Sequence, residues 1–271
     1  TEIYTLSLHD ALPIWYELQQ LSAYSNAKWL LSESLYLYAG VNLFYRDYTL
    51  FKAFSYGQRS LFVRTSWFSP TGTSVSVEGN FLVKNYLNPA TTPGPAELPD
   101  LVAVGDGDSR QLVVGLRLAQ SLSPSVGVSL ALSQRHNLTN SLRYLGDPEG
   151  FYYSDEELFD DVYGYHGMDV SPSVKKLFSH GISLSLGATW QHKQYDNRLA
   201  ARSDGSYYDD LRLRDDQRSL LYVGVEKKWS LHPSLTPLVL SLRYTRIWNQ
   251  SNDAYYNYNT GWFGLSMSQS F

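Results

Sequence analysis

The stretch Ile182–His192, which reads ISLSLGATWQH, decides the fold. From Ile182 to Trp190 every second residue is apolar, and the residues between them are serine, glycine or threonine. Successive side chains of a β-strand point to opposite faces of a sheet, whereas a helix would repeat its apolar positions every three or four residues. The stretch therefore predicts a strand with one apolar face and one polar face.

The same period of two continues along the chain from Trp15 to the C-terminus. Tight turns such as Leu-Ser-Pro-Ser (122–125) separate some strands, and long polar connections at about 87–109, 144–165 and 199–216 separate others. Short turns at one end and long loops at the other are typical of outer-membrane barrels. The eleven predicted strands are 15–31, 35–49, 58–69, 73–86, 110–121, 125–143, 166–179, 181–198, 216–231, 235–249 and 258–271.

The composition favours a membrane barrel over a soluble domain. Only 18% of the residues are charged, against about 25% in a typical soluble protein. No segment has the roughly 18 consecutive apolar residues that a spanning helix needs. Tryptophans near strand ends are typical of the aromatic girdles at a membrane surface. We therefore predict a transmembrane antiparallel up-and-down β-barrel in the outer membrane of a Gram-negative bacterium, in contact with outer-membrane lipid and lipopolysaccharide.

Charge and cysteine content exclude several other classes. The net charge of −4 gives no basic surface for nucleic acid. The chain has no cysteine, which excludes disulfide scaffolds and thiolate metal sites and is compatible with an oxidising periplasm. No cofactor and no assigned metal site are expected.

The first fourteen residues, TEIYTLSLHDALPI, do not share the pattern of the rest. Read back into codons, they resemble a short-read sequencing adapter in a single frame. We therefore expect residues 1–14 to be a non-native segment and residues 15–271 to be an N-terminally truncated outer-membrane β-barrel domain.

The strand count predicts one further strand. By the turn positions, the first and the last predicted strands both run toward the periplasm, and two such strands cannot pair antiparallel. Single-chain bacterial barrels have an even number of strands. We therefore predict a native barrel of about 12 strands, with 11 genuine strands present and a seam between the first and the last.

The C-terminal sequence GWFGLSMSQSF carries a resemblance to bacterial outer-membrane proteins. Its apolar positions Phe263, Leu265, Met267 and Phe271 share one face of the final strand. The ending resembles the assembly signal whose terminal aromatic residue is read by the barrel-assembly machinery, which makes that machinery an expected partner. The longer run 241–271 resembles the final hairpin of barrels that follow tetratricopeptide repeats, such as surface lipoprotein assembly modifiers.

Charged residues recur on the predicted polar face, which would line the lumen. They could form an aqueous path and set its selectivity. Alternatively, opposite charges could pair and plug a narrow barrel, since open channels belong mainly to barrels of 16–18 strands. The lumen-lining candidates are Arg46, Arg64, Glu78, Lys84, Arg117, Arg135, Glu226, Lys228 and Arg243.

The connection 144–165 is strongly acidic. Its carboxylates could bind divalent cations such as calcium, or bridge lipopolysaccharide through them. The spacing does not match an EF-hand loop, and a solvated acidic loop is the alternative interpretation.

One short stretch bears on whether the chain is an enzyme. Residues 249–252, Asn-Gln-Ser-Asn, resemble the His-Gln-Ser-Asn stretch of outer-membrane phospholipase A, but Asn249 stands where the histidine base would be required. No catalytic residue is assigned, and the chain is predicted not to be an enzyme.

Three functions remain open. The first is a pore, transport or export component. The second is a structural or adhesive surface protein with a plugged lumen and working extracellular loops. The third is a lipid-active outer-membrane enzyme.

Overall fold

The computed structural model describes residues 18–49, 52–88, 108–139, 144–146, 152–154, 164–229 and 238–268. Thirteen strands occur in this part of the chain, eleven of them long. Their bounds are β1 Leu18–Ser32, β2 Leu35–Tyr48, β3 Tyr56–Phe68, β4 Thr73–Tyr86, β5 Ser109–Ser123, β6 Val126–Thr139, β7 Tyr144–Gly146, β8 Tyr152–Ser154, β9 Tyr165–Leu177, β10 Ile182–Leu199, β11 Leu213–Trp229, β12 Leu238–Ser251 and β13 Tyr258–Ser268.

The eleven long strands form one antiparallel up-and-down sheet in the order β1-β2-β3-β4-β5-β6-β9-β10-β11-β12-β13. The eleven strands predicted from alternation are confirmed, with bounds that differ by a few residues. At the predicted connection 199–216, β11 begins three residues earlier than predicted, because Leu199 still pairs with Leu213 across β10 and β11. The hairpin of β7 and β8 was not predicted, since strands of three residues are too short to show a period.

Tight turns lie at one end of the sheet and long connections lie at the other. The turn Ser69–Gly72 joins β3 to β4, and the amide of Gly72 donates to the carbonyl oxygen of Ser69 at 3.0 Å. Gly72 has a φ of +77°, a backbone conformation that glycine adopts without steric cost. The long connections define the extracellular end of the sheet and the tight turns its periplasmic end.

Cross-strand register places the apolar residues on one face. Leu184 lies opposite Val225, and Leu186 lies opposite both Val174 and Val223. Exposure of this face is high: Leu61 is 52% and Leu242 is 49% accessible. An apolar face that none of the described elements covers matches the lipid-facing surface of a transmembrane sheet. Among the described residues, no helix has the length and apolar character to cross a membrane.

The two edge strands of the sheet run in the same direction. Ten successive antiparallel pairings separate β1 from β13, and the described residues contain no pairing between these two strands. Every residue of β1 is exposed, as expected for a strand with an open edge. The twelfth strand stays a prediction, and residues 1–14 lie outside the described part of the chain.

Candidate functional site

The structure places all nine lumen-lining candidates on the face opposite the apolar one. Arg64 lies directly opposite Glu78, and its Nε donates to Oε2 of Glu78 at 2.6 Å. The Nζ of Lys228 lies 3.4 Å from Oε1 of Glu226. These two pairs show that neighbouring opposite charges neutralise each other along the polar face. That this face conducts ions stays a prediction.

Arg117 and Arg243 occupy the same face, and within the described strands no carboxylate lies directly opposite either of them. Arg117 lies opposite Ser76 and Ala131. Arg243 lies opposite Gly224, and its guanidinium sits 4.5 Å from the ring centre of Tyr222. An aromatic face attracts a cation at this distance.

The ring of Tyr222 also lies over Gly187. The two residues are opposite each other in β10 and β11, and a Cβ at position 187 would overlap the tyrosine ring. A Cβ at position 187 would push the end of this ring aside, and Tyr222 thus lies between Gly187 and Arg243.

A first cluster of cations and tyrosines lies at the extracellular end of β2, β3 and β4. Lys84 is only 2% exposed, and its Nζ lies 4.8 Å from the ring of Tyr56 and 4.5 Å from that of Tyr86. Arg46 donates to the hydroxyl of Tyr48 at 3.2 Å and lies 5.8 Å from the ring of Tyr56. Rings on both sides replace part of the water that a buried ammonium loses.

A second cluster lies at the same end of β6, β9 and β10. The ring of Tyr165 lies 5.1 Å from the guanidinium of Arg135 and 4.4 Å from Nζ of Lys193. Arg135 also donates to Oε1 of Gln111 at 2.8 Å. Tyr195 packs against Tyr165 with 5.6 Å between ring centres.

The second cluster continues onto β11 through a buried ion pair. Nε of Arg214 donates to both carboxylate oxygens of Asp216 at 2.9 and 3.1 Å, and the two side chains are 5% and 3% exposed. The same guanidinium lies 3.3 Å from the ring centre of Tyr256 and 4.3 Å from that of Tyr195. Arg198 donates to the hydroxyl of Tyr256 at 2.6 Å.

Several contacts in this region skip a strand. Gln111 of β5 donates to the carbonyl oxygen of Tyr165 on β9 at 3.4 Å, although β6 lies between them. Asn137 of β6 similarly donates to Asp196 on β10 at 2.5 Å. Strands two positions apart are separated by about 10 Å in a flat sheet, so such contacts require the wall to curve toward the polar face. Both clusters together are called the cation–tyrosine layer below.

Sequence reasoning found only Arg46, Lys84 and Arg135 of this layer. Lys193 lies two residues after Gln191 on the polar face of β10, so the alternation alone is enough to assign it to that face. Arg214 and Asp216 were missed because the segment before residue 216 was interpreted as a connection. The partner tyrosines were missed because their contacts depend on pairing between distant strands.

The remaining sequence expectations are placed as follows. Phe263, Leu265 and Met267 share the apolar face of β13 and are 75%, 72% and 71% exposed, whereas Phe271 lies outside the described residues. The carboxylates of the acidic connection lie outside the described residues, so cation binding there stays a prediction. Within the described ranges, no group of three or more potential ligand side chains could hold a metal ion.

In the phospholipase-like stretch, Ser251 and Asn249 form hydrogen bonds with backbone atoms of the following turn. Ser251 Oγ accepts from the amide of Asp253 at 3.0 Å, and Asn249 Nδ2 donates to the carbonyl oxygen of Tyr256 at 2.5 Å. Both side chains are engaged in the turn after β12, which is a structural arrangement.

The connection between β10 and β11 is held by exposed polar contacts. The hydrogen bond from Arg212 lowers the pKa of the Asp210 carboxyl, and a hydrogen bond from the Ser206 hydroxyl lowers that of Asp204. Arg202 and Asp209 form a further ion pair at 3.1 Å. These contacts join neighbouring residues of the loop at the extracellular end of the sheet.

An antiparallel meander with a bare apolar face and a charged opposite face defines the class as an outer-membrane β-barrel. Residues 132–271, slightly more than half of the chain, match the family described as surface lipoprotein assembly modifier. The chain belongs to this family, and the resemblance of its last hairpin is confirmed. Its location is the outer membrane.

Two solved structures of the ferric-catecholate import receptor Fiu from Escherichia coli K12 are also similar. The open form has a TM-score of 0.44 at 7% identity, with 95% of this chain and 51% of the receptor covered. The closed form has a TM-score of 0.39 at 7% identity, with 92% and 46% covered. The chain thus spans about half the length of these receptors. A search of curated proteins finds no match.

Proposed function

We propose that this barrel takes part in the assembly of surface lipoproteins as an export component that is closed at rest. The observation that carries the proposal is the buried cation–tyrosine layer at the extracellular end of the wall. The family to which the chain belongs supplies the class of cargo.

Buried charges with matched partners oppose spontaneous opening. Arg214 and Asp216 lie two residues apart on β11, and the rings of Tyr195 and Tyr256 from neighbouring elements cover the guanidinium. Moving these elements apart would remove the ring contacts of a buried cation, each worth about 2 kcal/mol when shielded from water. A layer of this kind supports a barrel that stays closed until a cargo segment supplies replacement contacts.

The periplasmic half of the inner face has a different chemistry. Small hydroxyl side chains pair across its strands, as between Ser129 and Ser173 at 2.7 Å and between Ser66 and Ser76 at 2.9 Å. Together with the paired charges of Arg64 with Glu78 and of Lys228 with Glu226 in the same half, such a surface offers many hydrogen-bonding groups. It suits a polar chain segment that enters from the periplasm.

The adhesive alternative is supported by the loop between β10 and β11, which presents Arg202, Asp209 and Asp210 to the outside. Both proposals expect a lumen that is closed at rest. They differ in whether another protein depends on the barrel for its own surface exposure.

The test is surface display in intact cells. Epitope-tagged lipoproteins of the source bacterium are expressed one at a time with the full chain, with no barrel, or with an unrelated outer-membrane barrel, and added protease reports exposure. We expect at least one lipoprotein to become cleavable only with the full chain. If none changes while the barrel itself is correctly inserted, the assembly proposal is wrong.

Conductance gives a second readout. The full chain in planar bilayers should show few ion steps, and Arg214→Ala should show more, because it removes the cation that joins Asp216 to Tyr256. Steady large conductance in the unmodified chain would contradict closure at rest.

A further inference from the structure

The lipid-facing side of the sheet contains an apolar depression with a cavity volume of about 720 Å³. This volume lies in the range of about 300–1,000 Å³ typical of ligand sites. The depression spans β5, β6, β9, β10 and β11 in the periplasmic half of the sheet. Its lining includes Leu118, Leu130, Pro172, Val174, Leu186 and Leu221.

The register explains why the surface is hollow here. One row across the apolar face contains Leu118, Leu130 and Pro172, and the next row toward the periplasm contains Val174 opposite Leu186. Val128, Pro172 and Val174 near the centre have short side chains, whereas Leu118, Leu186 and Leu221 at the margins have longer ones. Short side chains between longer ones leave a hollow that the sheet itself cannot fill.

Pro172 also interrupts the sheet at this point. Proline lacks an amide hydrogen and is normally confined to edge strands, yet β9 is central. Register pairing of β9 with β10 is continuous except at Ser171 and Pro172. A hydroxyl contact between Ser171 and Thr189 at 3.0 Å spans the gap on the polar face.

A cation lies at the periplasmic margin of the depression. Lys176 is on the apolar face, opposite Val126 and Leu184, one row below Val174. Two residues of a strand span about 7 Å, so its ammonium can reach the level of lipid headgroups while an acyl chain lies above it. The other cation on this margin, Lys227, donates its Nζ to the carbonyl oxygen of His180.

We propose that the depression at Pro172 is a binding site for a phospholipid of the periplasmic leaflet, with one acyl chain in the hollow and its phosphate on Lys176. The site lies in hydrocarbon, where lipid tails and leucine are equally apolar, so packing shape rather than water exclusion retains the chain. Lys176 supplies the charge complementarity that selects an anionic headgroup. This proposal does not depend on the export function.

The experiment uses the full chain in phosphatidylethanolamine vesicles that contain phosphatidylglycerol with a photoreactive group on one acyl chain. Cross-linked peptides are mapped by mass spectrometry. We expect labels to concentrate on β6, β9 and β10 around Pro172. Uniform labelling of the apolar face would overturn the proposal.

Variants separate shape from charge. Val174→Phe should fill the hollow and remove the concentrated label, and Val128→Phe fills it from the neighbouring strand if the first variant does not insert. Val63→Phe, on the apolar face outside the depression, is the matched control and should change nothing. Labels that persist in both filled variants would contradict the site.

The headgroup is tested at Lys176. Lys176→Gln should lower phosphatidylglycerol labelling about fivefold, the effect of one cation on an anionic lipid, whereas Lys227→Gln should not. A diacylated lipopeptide without phosphate serves as competitor. Displacement by that lipopeptide with no effect of Lys176→Gln would show that the hollow takes lipoprotein acyl chains and that the phospholipid assignment is wrong.

Discussion

The buried pair of Arg214 and Asp216 allows a quantitative test of the cation–tyrosine layer. Asp216→Ala leaves a guanidinium that is 5% exposed without its carboxylate, although its contacts with Tyr195 and Tyr256 remain. Loss of one partner of a buried ion pair costs about 3–5 kcal/mol. We expect the free energy of unfolding to fall by an amount in this range.

The chain offers a matched control two residues away. Arg212 and Asp210 have the same spacing and a similar contact, 2.8 Å between Nη2 and Oδ2, but they are 49% and 58% exposed. Asp210→Ala should leave stability unchanged within error, because water and salt screen an exposed pair. The comparison isolates burial from the bond itself.

The assay is urea unfolding of the full chain in phospholipid vesicles, followed by tryptophan fluorescence. The double variant Arg214→Met/Asp216→Leu should regain most of the loss, because no uncompensated charge remains. If Asp216→Ala lowers the free energy of unfolding by less than about 1 kcal/mol, the pair behaves like a solvent-exposed ion pair, and the closed layer is refuted. A double variant as unstable as Asp216→Ala would show that charge burial is not the cause.

Three further outcomes are expected. Gly187→Ala should lower the free energy of unfolding by about 1–3 kcal/mol in the same assay, because the added Cβ overlaps the ring of Tyr222. Gly224→Ala, where the Cβ has room, should leave this free energy unchanged. Equal losses of stability in the two variants would refute the ring contact. The pKa values of Asp204 and Asp210 are lowered in the folded chain, so the stability that these carboxylates contribute is present above the ordinary aspartate pKa of 3.8 and is lost as the pH falls through the lower folded value. A spin label at Ser203→Cys should therefore keep the same mobility from neutral pH to pH 5 and become more mobile only below pH 3.8. An increase in mobility at higher pH would contradict this. Deletion of Phe271 should reduce insertion in cells more than refolding into detergent, and equal losses would argue against a recognition role.

The sheet could be predicted from the sequence because its pairing is local. Each long strand of an up-and-down sheet alternates over ten or more residues and pairs with its chain neighbour, as Leu184 pairs with Val225. A period of two therefore shows both the strand and its lipid-facing side. The same reasoning failed for Arg214, because a charged strand end has the composition of a loop.

The site was less predictable because its parts come from distant strands. Tyr256 meets Arg198 across β11, and Gln111 meets the carbonyl oxygen of Tyr165 across β6. Such contacts depend on the curvature of the wall, which no single strand encodes. Pro172 was visible in the sequence, but the hollow around it exists only when Leu130 and Leu186 are brought beside it.

The two proposed features share the same strands, β9 and β10, at different heights and on opposite faces. Tyr165 and Lys193 belong to the closed layer on the inner face, while Pro172 and Leu186 line the hollow on the outer face. Between β9 and β10, pairing is interrupted only at Ser171 and Pro172, at the level of the hollow, and resumes from Ser173 to Leu177. A deformation at this gap therefore leaves the pairing of Tyr165 with Tyr195 in the layer intact.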